Sequence, residues 1–275
     1  MRKEPATKPI RHKFRALIVA AFFRYHPFGL PFGMQKTIQL TPDTHRCSTC
    51  MLNGLCLPVG MTAVDINRFQ EAVQERVRVR KGETLFNAGD GANAIYGIRV
   101  GSIKTQLEDA AGQVQITGFL LPGEIVGLDG FLEGTHLSHA IALEDTEVCV
   151  ARVDDIDKIS SHVPALQNQL RRLTSQEIRR SQQLVMSLGV LRSEQRLAAF
   201  LVNMSQRLSM LGYSSTEFVL RMSREEIGSY LGLTLETVSR LFSRFAKEGL
   251  IKIHQREVKL LDLPALRDLA GNDCG

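Results

Sequence analysis

Hydrophobic and polar residues alternate in short runs through the middle of the chain, which is the pattern of β-strands with one buried face. Turn sequences that contain glycine separate the runs at intervals of about 8–12 residues, the spacing of an antiparallel roll or sandwich. We therefore predict a β-roll between residues 77 and 152. Its predicted strands are residues 77–80, 94–100, 102–107, 114–119 and 146–152.

Beyond these strands the hydrophobic period becomes that of a helix. No glycine or proline lies between residue 164 and Gly189, so we predict a helix of about 25 residues, about 37 Å long. Its apolar stripe must be covered by the β-roll or by the same helix of a second subunit. The polar residues Thr174, Glu177 and Ser181 interrupt the apolar stripe, which favours reversible over permanent association of two subunits. The predicted residues of this dimer helix are Leu166, Leu170, Leu173, Ile178, Ser181, Val185 and Leu188.

Capping signals predict two short helices after an amphipathic helix at residues 194–208. Ser223 and Glu226 form a capping box that starts the first helix, and Gly232 ends it. Thr234 caps the second helix two residues later. Two short helices joined by a glycine turn are typical of a helix-turn-helix. Their predicted core is Ile227, Leu231, Leu233, Val238, Leu241 and Phe245.

The second of these helices begins with polar residues of the types that read DNA bases, which favours DNA binding over an ordinary helical hairpin. A hairpin at residues 251–261, with its turn at 254–257, follows and resembles a wing. Two alternatives concern single residues: Glu236 could be a first-turn carboxylate favoured by the helix dipole, and Arg240 could bind phosphate only. The predicted DNA-binding residues are Thr234, Glu236, Thr237, Ser239, Arg240 and Arg244.

Charge is distributed unevenly along the 275 residues. Residues 1–36 carry a net charge of +7, whereas the rest of the chain carries −2, so the net charge of +5 is no argument for nucleic-acid binding. The apolar run at residues 16–23 is too short to span a bilayer and precedes no cleavage site. We expect a cytoplasmic protein with no membrane partner, and a basic tail that is disordered or lies upstream of a true start near Met34.

Three of the five cysteines lie within ten residues: Cys47, Cys50 and Cys56. Thiols grouped so closely are metal ligands or disulfide partners more often than packing residues. Iron–sulfur clusters take four thiolates, commonly with one from elsewhere in the chain. Cys149 lies on a predicted strand that can hold its sulfur rigidly, so it is the better fourth ligand than Cys274 in the polar C-terminal tail.

Other uses of these thiols stay open at this point. His45 could complete a Cys3His zinc site, although no second Cys-x-x-Cys pair exists. A buried strand cysteine without a ligand role is the plain alternative for Cys149. Disulfides are disfavoured because the number of cysteines is odd and the expected compartment is reducing.

The cysteine loop, β-roll, long helix and winged helix, in this order, resemble the CRP/FNR regulators. The C-x2-C-x5-C loop, the roll cysteine and the segment 227–240 resemble the oxygen-responsive FNR branch in particular. The resemblance covers residues 40–271. It implies an α+β fold with an antiparallel β-roll like the cyclic nucleotide-binding jelly roll, a long dimerisation helix and a C-terminal winged helix-turn-helix. The expected parts are a basic tail (1–40), a cysteine loop (41–60), the roll (61–162), the dimerisation helix (163–191) and the DNA-binding domain (192–275).

By this resemblance, Cys47, Cys50, Cys56 and Cys149 would ligate a [4Fe–4S] cluster. Oxygen would degrade the cluster and dissociate the homodimer, so that the protein regulates an anaerobic or microaerobic switch. A heme-, zinc- or thiol-sensing regulator on the same scaffold is the alternative.

The resemblance also implies the DNA partner. The dimer would bind double-stranded DNA at palindromes of TTGAT half-sites and act on RNA polymerase. Arg240 would read the G, Glu236 its paired C, and Ser239 a neighbouring T·A pair.

A cyclic nucleotide and an enzymatic activity are not expected. The cyclic-AMP branch binds the phosphate through an R-S-A segment, whereas this chain has Ser138-His139-Ala140, and Leu128 follows Gly127 where a Glu would bind the ribose. A cupin-like metalloenzyme would need more histidines than the roll's His136 and His139.

Overall fold

The computed structural model describes residues 36–39, 47, 50, 52, 56, 61–73, 75–131 and 133–271. The predictions for residues 1–35, His45 and Cys274 therefore lie outside the described residues, whereas residues 36–39, part of the expected basic tail, form a strand. Among the described helices, none combines the length and the hydrophobicity that crossing a membrane requires.

The predicted β-roll is present as two antiparallel sheets. The larger sheet has the strand order β1-β2-β9-β4-β7, and the smaller has the order β3-β8-β5-β6. Side chains such as Ile98, Ile103 and Val148 point between the sheets and are fully buried. The strands are β1 (Lys36–Gln39), β2 (Glu75–Val79), β3 (Thr84–Phe86), β4 (Ala94–Val100), β5 (Ile103–Glu108), β6 (Val114–Leu120), β7 (Ile125–Val126), β8 (His139–Ala142) and β9 (Thr146–Arg152).

The five predicted strands correspond to β2, β4, β5, β6 and β9, and two of them, β4 and β9, have the predicted bounds. The sequence analysis missed β1, β3, β7 and β8, which are two to four residues long. So short a strand contains too few residues for an alternation to be recognised.

Three helices pack beside the larger sheet: α1 (Ala63–Ala72), α2 (Val153–Ser160) and α3 (Pro164–Val190). The 27-residue α3 confirms the predicted long helix. A small core joins α1, α2 and α3 to β4 and β9 through Val73, Ile95, Ala151, Ile156 and Leu170.

The C-terminal part is a winged helix-turn-helix. Ser223 caps its first helix within a capping box, and Gly232 ends that helix in the left-handed conformation (φ 62°), as the sequence predicts. The wing is the hairpin β11–β12, to which β10 pairs. The elements are α4 (Ser193–Met210), β10 (Glu217–Val219), α5 (Arg224–Leu231), α6 (Leu235–Lys247), β11 (Ile251–His254), β12 (Glu257–Leu260) and α7 (Leu263–Ala270).

The helix-turn-helix also packs on the roll. Helix α5 lies against β6, where the Ser229 hydroxyl accepts a hydrogen bond from the Ile116 N–H at 3.0 Å. The Lys104 ammonium lies 2.9 Å from a carboxylate oxygen of Glu226. Phe119 of the roll is buried in the same core as Leu197 and Ile227 of the C-terminal part.

Candidate metal centre and nucleic-acid interface

Cys149 lies on the outer face of the larger sheet. Strand β9 alternates, so Val148 and Val150 are buried between the sheets while Cys149 points the other way and is half-buried. The backbone of Cys149 pairs with that of Arg76 on β2 and of Gly97 on β4. The strand therefore presents this thiol to whatever covers the sheet.

Cys56 covers the sheet at this point. A Cβ atom added at Gly97 would lie 3.7 Å from the Cys56 sulfur, and Gly97 is the neighbour of Cys149 across the ladder. The small size of residue 97 thus leaves room for a loop cysteine beside the strand cysteine. The sequence analysis missed Gly97, although a glycine inside an alternating strand is a signal of close approach.

The described positions of the cysteine loop are held to one another and to α1. The Cys50 N–H donates to the Cys47 carbonyl at 3.2 Å, and the Cys56 N–H donates to the Leu52 carbonyl at 2.9 Å. The Cys47 N–H donates to the Gln70 side-chain carbonyl on α1 at 3.1 Å. These hydrogen bonds hold the described positions of the loop together and tie Cys47 to α1.

The thiols influence one another electrostatically. Burial, reinforced by the neighbouring sulfurs of Cys149 and Cys50, raises the pKa of Cys47 to about 11 and that of Cys56 to about 12. Burial also raises the pKa of Cys149. Thiols with raised pKa values, as at Cys47, Cys56 and Cys149, are protonated by themselves, and a bound cation is what converts such thiols to thiolates.

Arginines surround the same place. Arg76 lies beside Cys149 and donates a hydrogen bond to it, and together with Arg99 it acts to lower the pKa of that thiol. The Glu147 carboxylate lies 3.4 Å from Arg76, 3.3 Å from Arg78 and 2.8 Å from Arg99. The buried Nε of Arg76 has no partner among the described residues. Because three arginine side chains face a single carboxylate, part of their positive charge is not compensated and is available to a further anionic group.

The sequence leaves two metal groups open for these cysteines, a zinc ion and an iron–sulfur cluster. No three His, Cys, Asp or Glu side chains within the described part of the chain converge as ligands of one metal ion. A zinc ion about 2.3 Å from each sulfur would hold its four sulfurs about 3.8 Å apart. An iron–sulfur cluster binds each thiolate to a different iron, so its ligands stand farther apart. Four thiols within electrostatic reach of one another, beside unsatisfied positive charge, fit an anionic iron–sulfur cluster.

The two roll histidines form no metal site with each other. His136 is buried and its ring stacks on Phe86 with a centroid distance of 3.6 Å. His139 lies at the roll surface, where its Nδ1 is 3.4 Å from the Ala88 N–H.

Helix α6 presents a polar face opposite a buried one. Val238, Leu241, Phe242 and Phe245 are buried against the rest of the domain. The Thr234 hydroxyl caps the helix by accepting from the Thr237 N–H at 3.2 Å. The predicted contact residues share the other face: Thr234, Glu236 and Arg240 are exposed, and Thr237 and Ser239 are half-buried.

Arg244 differs from the other predicted DNA contacts. It forms ion pairs with Glu194 and, at 2.8 Å, with Glu248. Two carboxylates therefore compensate the charge of Arg244, and the pair with Glu194 links α6 to α4.

The structure divides the predicted stripe of α3. Leu166 is buried in its own chain, Leu170 packs on the small core, and Leu188 lies against the turn at Gly232. By contrast, Ile178 and Val185 are 55% and 69% exposed. The part of the stripe that a second copy can reach therefore centres on Ile178, Ser181 and Val185.

Two family models match the chain. The cyclic nucleotide-binding domain matches residues 76–162, and the Crp-like helix-turn-helix domain matches residues 195–269. These ranges cover the roll from β2 to β9 and most of the C-terminal part.

Curated relatives are regulators of transcription. The chain is 62% identical over 240 residues to the transcriptional regulatory protein btr of Bordetella pertussis, covering 87% of this chain and 99% of that protein. It is 44% identical to the transcriptional activator protein anr of Pseudomonas aeruginosa, covering 86% and 98%. It is 39% identical to the fumarate and nitrate reduction regulatory protein of Escherichia coli, covering 82% and 91%.

Solved structures share the fold. FixK2 from Bradyrhizobium japonicum is 30% identical with a TM-score of 0.66, covering 70% of this chain and 96% of that one. A CRP/FNR-family transcriptional regulator from Thermus thermophilus, 21% identical, has a TM-score of 0.57, covering 73% of this chain and all of the other.

Proposed function

Because the chain belongs to the CRP/FNR family of transcriptional regulators and is of the FNR/Anr type, we propose that it is an oxygen sensor that holds a [4Fe–4S] cluster. The proposed ligands are Cys47, Cys50, Cys56 and Cys149. When bound, such a cluster supplies the oxygen-reactive group. The observation that carries this proposal is the approach of Cys56 to Cys149 over Gly97, beside the buried Nε of Arg76, for which the described residues supply no partner.

The cysteine site is connected to α3 by direct packing. Cys149 contacts the small core that also contains Phe69 of α1, Ile156 of α2 and Leu170 of α3. Thiolates fixed at one point would hold the loop, α1 and β9 together at the start of α3. When the loop is free, that end of α3 loses part of its support.

The dimer interface proposed for α3 is weak enough to depend on this support. The exposed Ile178 and Val185 are separated by Ser181 and preceded by Thr174, so few apolar side chains would be buried. A change of a few kcal/mol shifts such an equilibrium from mostly dimer to mostly monomer. We propose that the homodimer forms when the cluster is intact and dissociates when oxygen has destroyed it.

Base reading is assigned to α6, one copy in each half-site of a palindrome. Arg240 and Glu236 lie exposed at the N-terminal half of the helix, where recognition helices contact bases. The proposed contacts are Arg240 to G, Glu236 to its paired C and Ser239 to a neighbouring T·A pair of a TTGAT half-site. RNA polymerase is the proposed protein partner, and the cytoplasm the proposed location.

Anaerobic purification tests the cluster assignment. The protein should be brown, with iron and acid-labile sulfide in equal amounts, and Ala substitution of Cys47, Cys50, Cys56 or Cys149 should remove both. Cys274→Ala is the control and should keep them. Full iron and sulfide in Cys149→Ala would disprove the fourth ligand, whereas a colourless wild-type protein, or one with a sharp Soret band, would refute the cluster itself.

A further inference from the structure

A carboxylate inside the roll is surrounded by hydrogen-bond donors. One oxygen of Asp129 accepts from the Leu137 N–H at 3.0 Å, from the Ser138 N–H at 3.0 Å and from the Ser138 hydroxyl at 2.8 Å. Its other oxygen lies 3.1 Å from Nδ1 of His136. All these donors come from three consecutive residues.

One of the donor residues, His136, is itself tightly packed. His136 is 2% exposed, and its ring stacks on Phe86. His136 also lies against Gly127, where an added Cβ would come within 3.2 Å of the ring. Gly127 has φ +93°, so the backbone turns there in a conformation that glycine adopts readily.

Consecutive backbone N–H groups that point at one place form a nest, a common binding site for phosphate and other anions. Here the anion is a side chain of the same chain. Although burial alone would raise the pKa of Asp129, hydrogen bonds from His136 and Ser138 lower it to about 2. Asp129 is therefore an anion at any physiological pH.

The domain around this nest matches the cyclic nucleotide-binding model, and the ligand class of that domain carries one anionic phosphate. We propose that Asp129 is a built-in ligand: its carboxylate fills the roll's anion nest, which keeps the roll in its ligand-filled arrangement without a nucleotide. A phosphate cannot enter the nest while the carboxylate occupies it, because two anions would share the same donors.

The filled nest fixes a segment that contacts the rest of the molecule. Leu128 and Phe131, on either side of Asp129, pack on the small core with Cys149 and Leu170. The carboxylate thereby holds in place the residues that lie between the cysteine site and α3. This role does not depend on which metal group the cysteines bind.

Chemical rescue tests the proposal on the full chain. Asp129→Gly empties the nest, so the variant should melt well below wild type, and formate or inorganic phosphate should raise its melting temperature. An anion present at about ten times its Kd would raise the melting temperature by about 3–5 °C. Sodium chloride at equal ionic strength should leave the melting temperature of Asp129→Gly unchanged.

Two variants control for general effects of anions. Asp129→Asn keeps the nest filled with an amide and should not respond to formate. Asp109→Gly removes a carboxylate that accepts the Ala111 and Gln113 N–H groups, each at 2.8 Å, in an exposed hairpin, and it also should not respond because water already solvates that turn. A folded Asp129→Gly protein that formate and phosphate leave unchanged would refute the proposal.

A measurement on the wild-type protein decides the question if Asp129→Gly does not fold. An ionised Asp129 can accept a hydrogen bond from His136 only when Nδ1 carries a proton. Nitrogen NMR of the labelled imidazole should therefore show a proton on Nδ1 at pH 7. A proton on Nε2 alone would overturn the proposal.

Discussion

At the scale of single residues, the cysteine site depends on the small size of residue 97. A Cβ atom added at Gly97 would lie 3.5 Å from the side chain of Ile125 and 3.7 Å from the Cys56 sulfur. One methyl group fits at these distances, but the additional branches of a larger residue do not. The size of residue 97 therefore controls whether Cys56 can lie beside Cys149.

We predict that Gly97→Val lowers iron content by about tenfold or more, the usual effect of disturbing the residues around a metal site. Valine favours strands, so the roll itself should remain folded. Iron and sulfide analysis after anaerobic purification measures the effect, with circular dichroism as the check on folding. Gly97→Ala is the matched control and should keep most of its iron; equal losses in both variants would contradict the steric explanation.

Arg240 and Arg244 lie one turn apart on α6 but in different surroundings. Arg240 is exposed and donates a hydrogen bond to the Thr237 hydroxyl at 3.3 Å, whereas Arg244 is paired with Glu194 and Glu248. We predict that Arg240→Ala weakens specific DNA binding by about 1–3 kcal/mol and relaxes the preference at one base pair. Binding-site selection with purified protein measures both quantities.

Arg244→Ala provides the comparison for Arg240. It should change affinity little and leave base preference intact, because its charge is already compensated. If Arg240→Ala weakened binding to all sequences equally and lowered the salt dependence, Arg240 would be a phosphate contact instead.

At the scale of elements, α3 has two different functions along its length. Its first turns belong to the core of the chain through Leu166 and Leu170, and its end packs on the helix-turn-helix through Leu188. Between these ends, Ile178 and Val185 are exposed on one face with Ser181 between them, and Met186 and Val190 are exposed in the last turns. The strength of the proposed dimer is therefore set by a few positions.

We predict that Ser181→Leu stabilises the dimer by about 2 kcal/mol or more, because each copy buries an additional leucine. This corresponds to a dissociation constant about thirtyfold lower. Sedimentation in air should then show dimers where the wild-type protein is monomeric. Gln183→Leu, on the opposite face of the helix, is the control and should not stabilise the dimer. A Ser181→Leu protein that remains monomeric in air would show that the dimer interface lies elsewhere.

At the scale of the whole molecule, one carboxylate joins the roll to both long helices. Glu124 lies 2.6 Å from Arg180 of α3 and 2.6 Å from Arg207 of α4. Arg207 also donates to the Phe119 carbonyl at 2.5 Å. Burial alone would raise the pKa of Glu124, but Arg207 and Arg180 hold it below its ordinary value of 4.5.

This lowered pKa predicts a pH dependence of stability. The stabilisation is complete above the unfolded-state pKa and is lost as pH falls through the lower folded-state pKa. Burial raises the pKa of neighbouring Glu177, so its protonation acts in the opposite direction. We predict that Glu124→Gln lowers the free energy of unfolding by about 2–4 kcal/mol at pH 7 and by less at acidic pH.

Urea unfolding at pH 7, 5 and 4 measures this difference. Glu133→Gln, at an exposed position, is the control and should follow wild type at each pH. If the difference between Glu124→Gln and wild type were the same at every pH, the ion pairs of Glu124 would not be its source.

Local features of this protein were readable from the sequence because neighbouring residues determine them. The Ser223 capping box, the end of a helix at Gly232 and the alternation of β9 each involve residues a few positions apart. Backbone preferences and side-chain periodicity act over that range, so they specify the elements and, through their order, the fold class. The clustering of three cysteines is equally local, which is why a metal site could be predicted there.

Contacts between distant segments were decided only by the tertiary structure. Cys56 meets Gly97, Asp129 meets Ser138 across the roll's turn, and Arg244 meets Glu194 fifty residues away. Each of these contacts depends on how two sheets and several helices pack, and many arrangements satisfy the same local preferences. The alternating pattern shows that Arg76 and Arg99 lie on a sheet surface, but the register of the strands determines that both face Cys149.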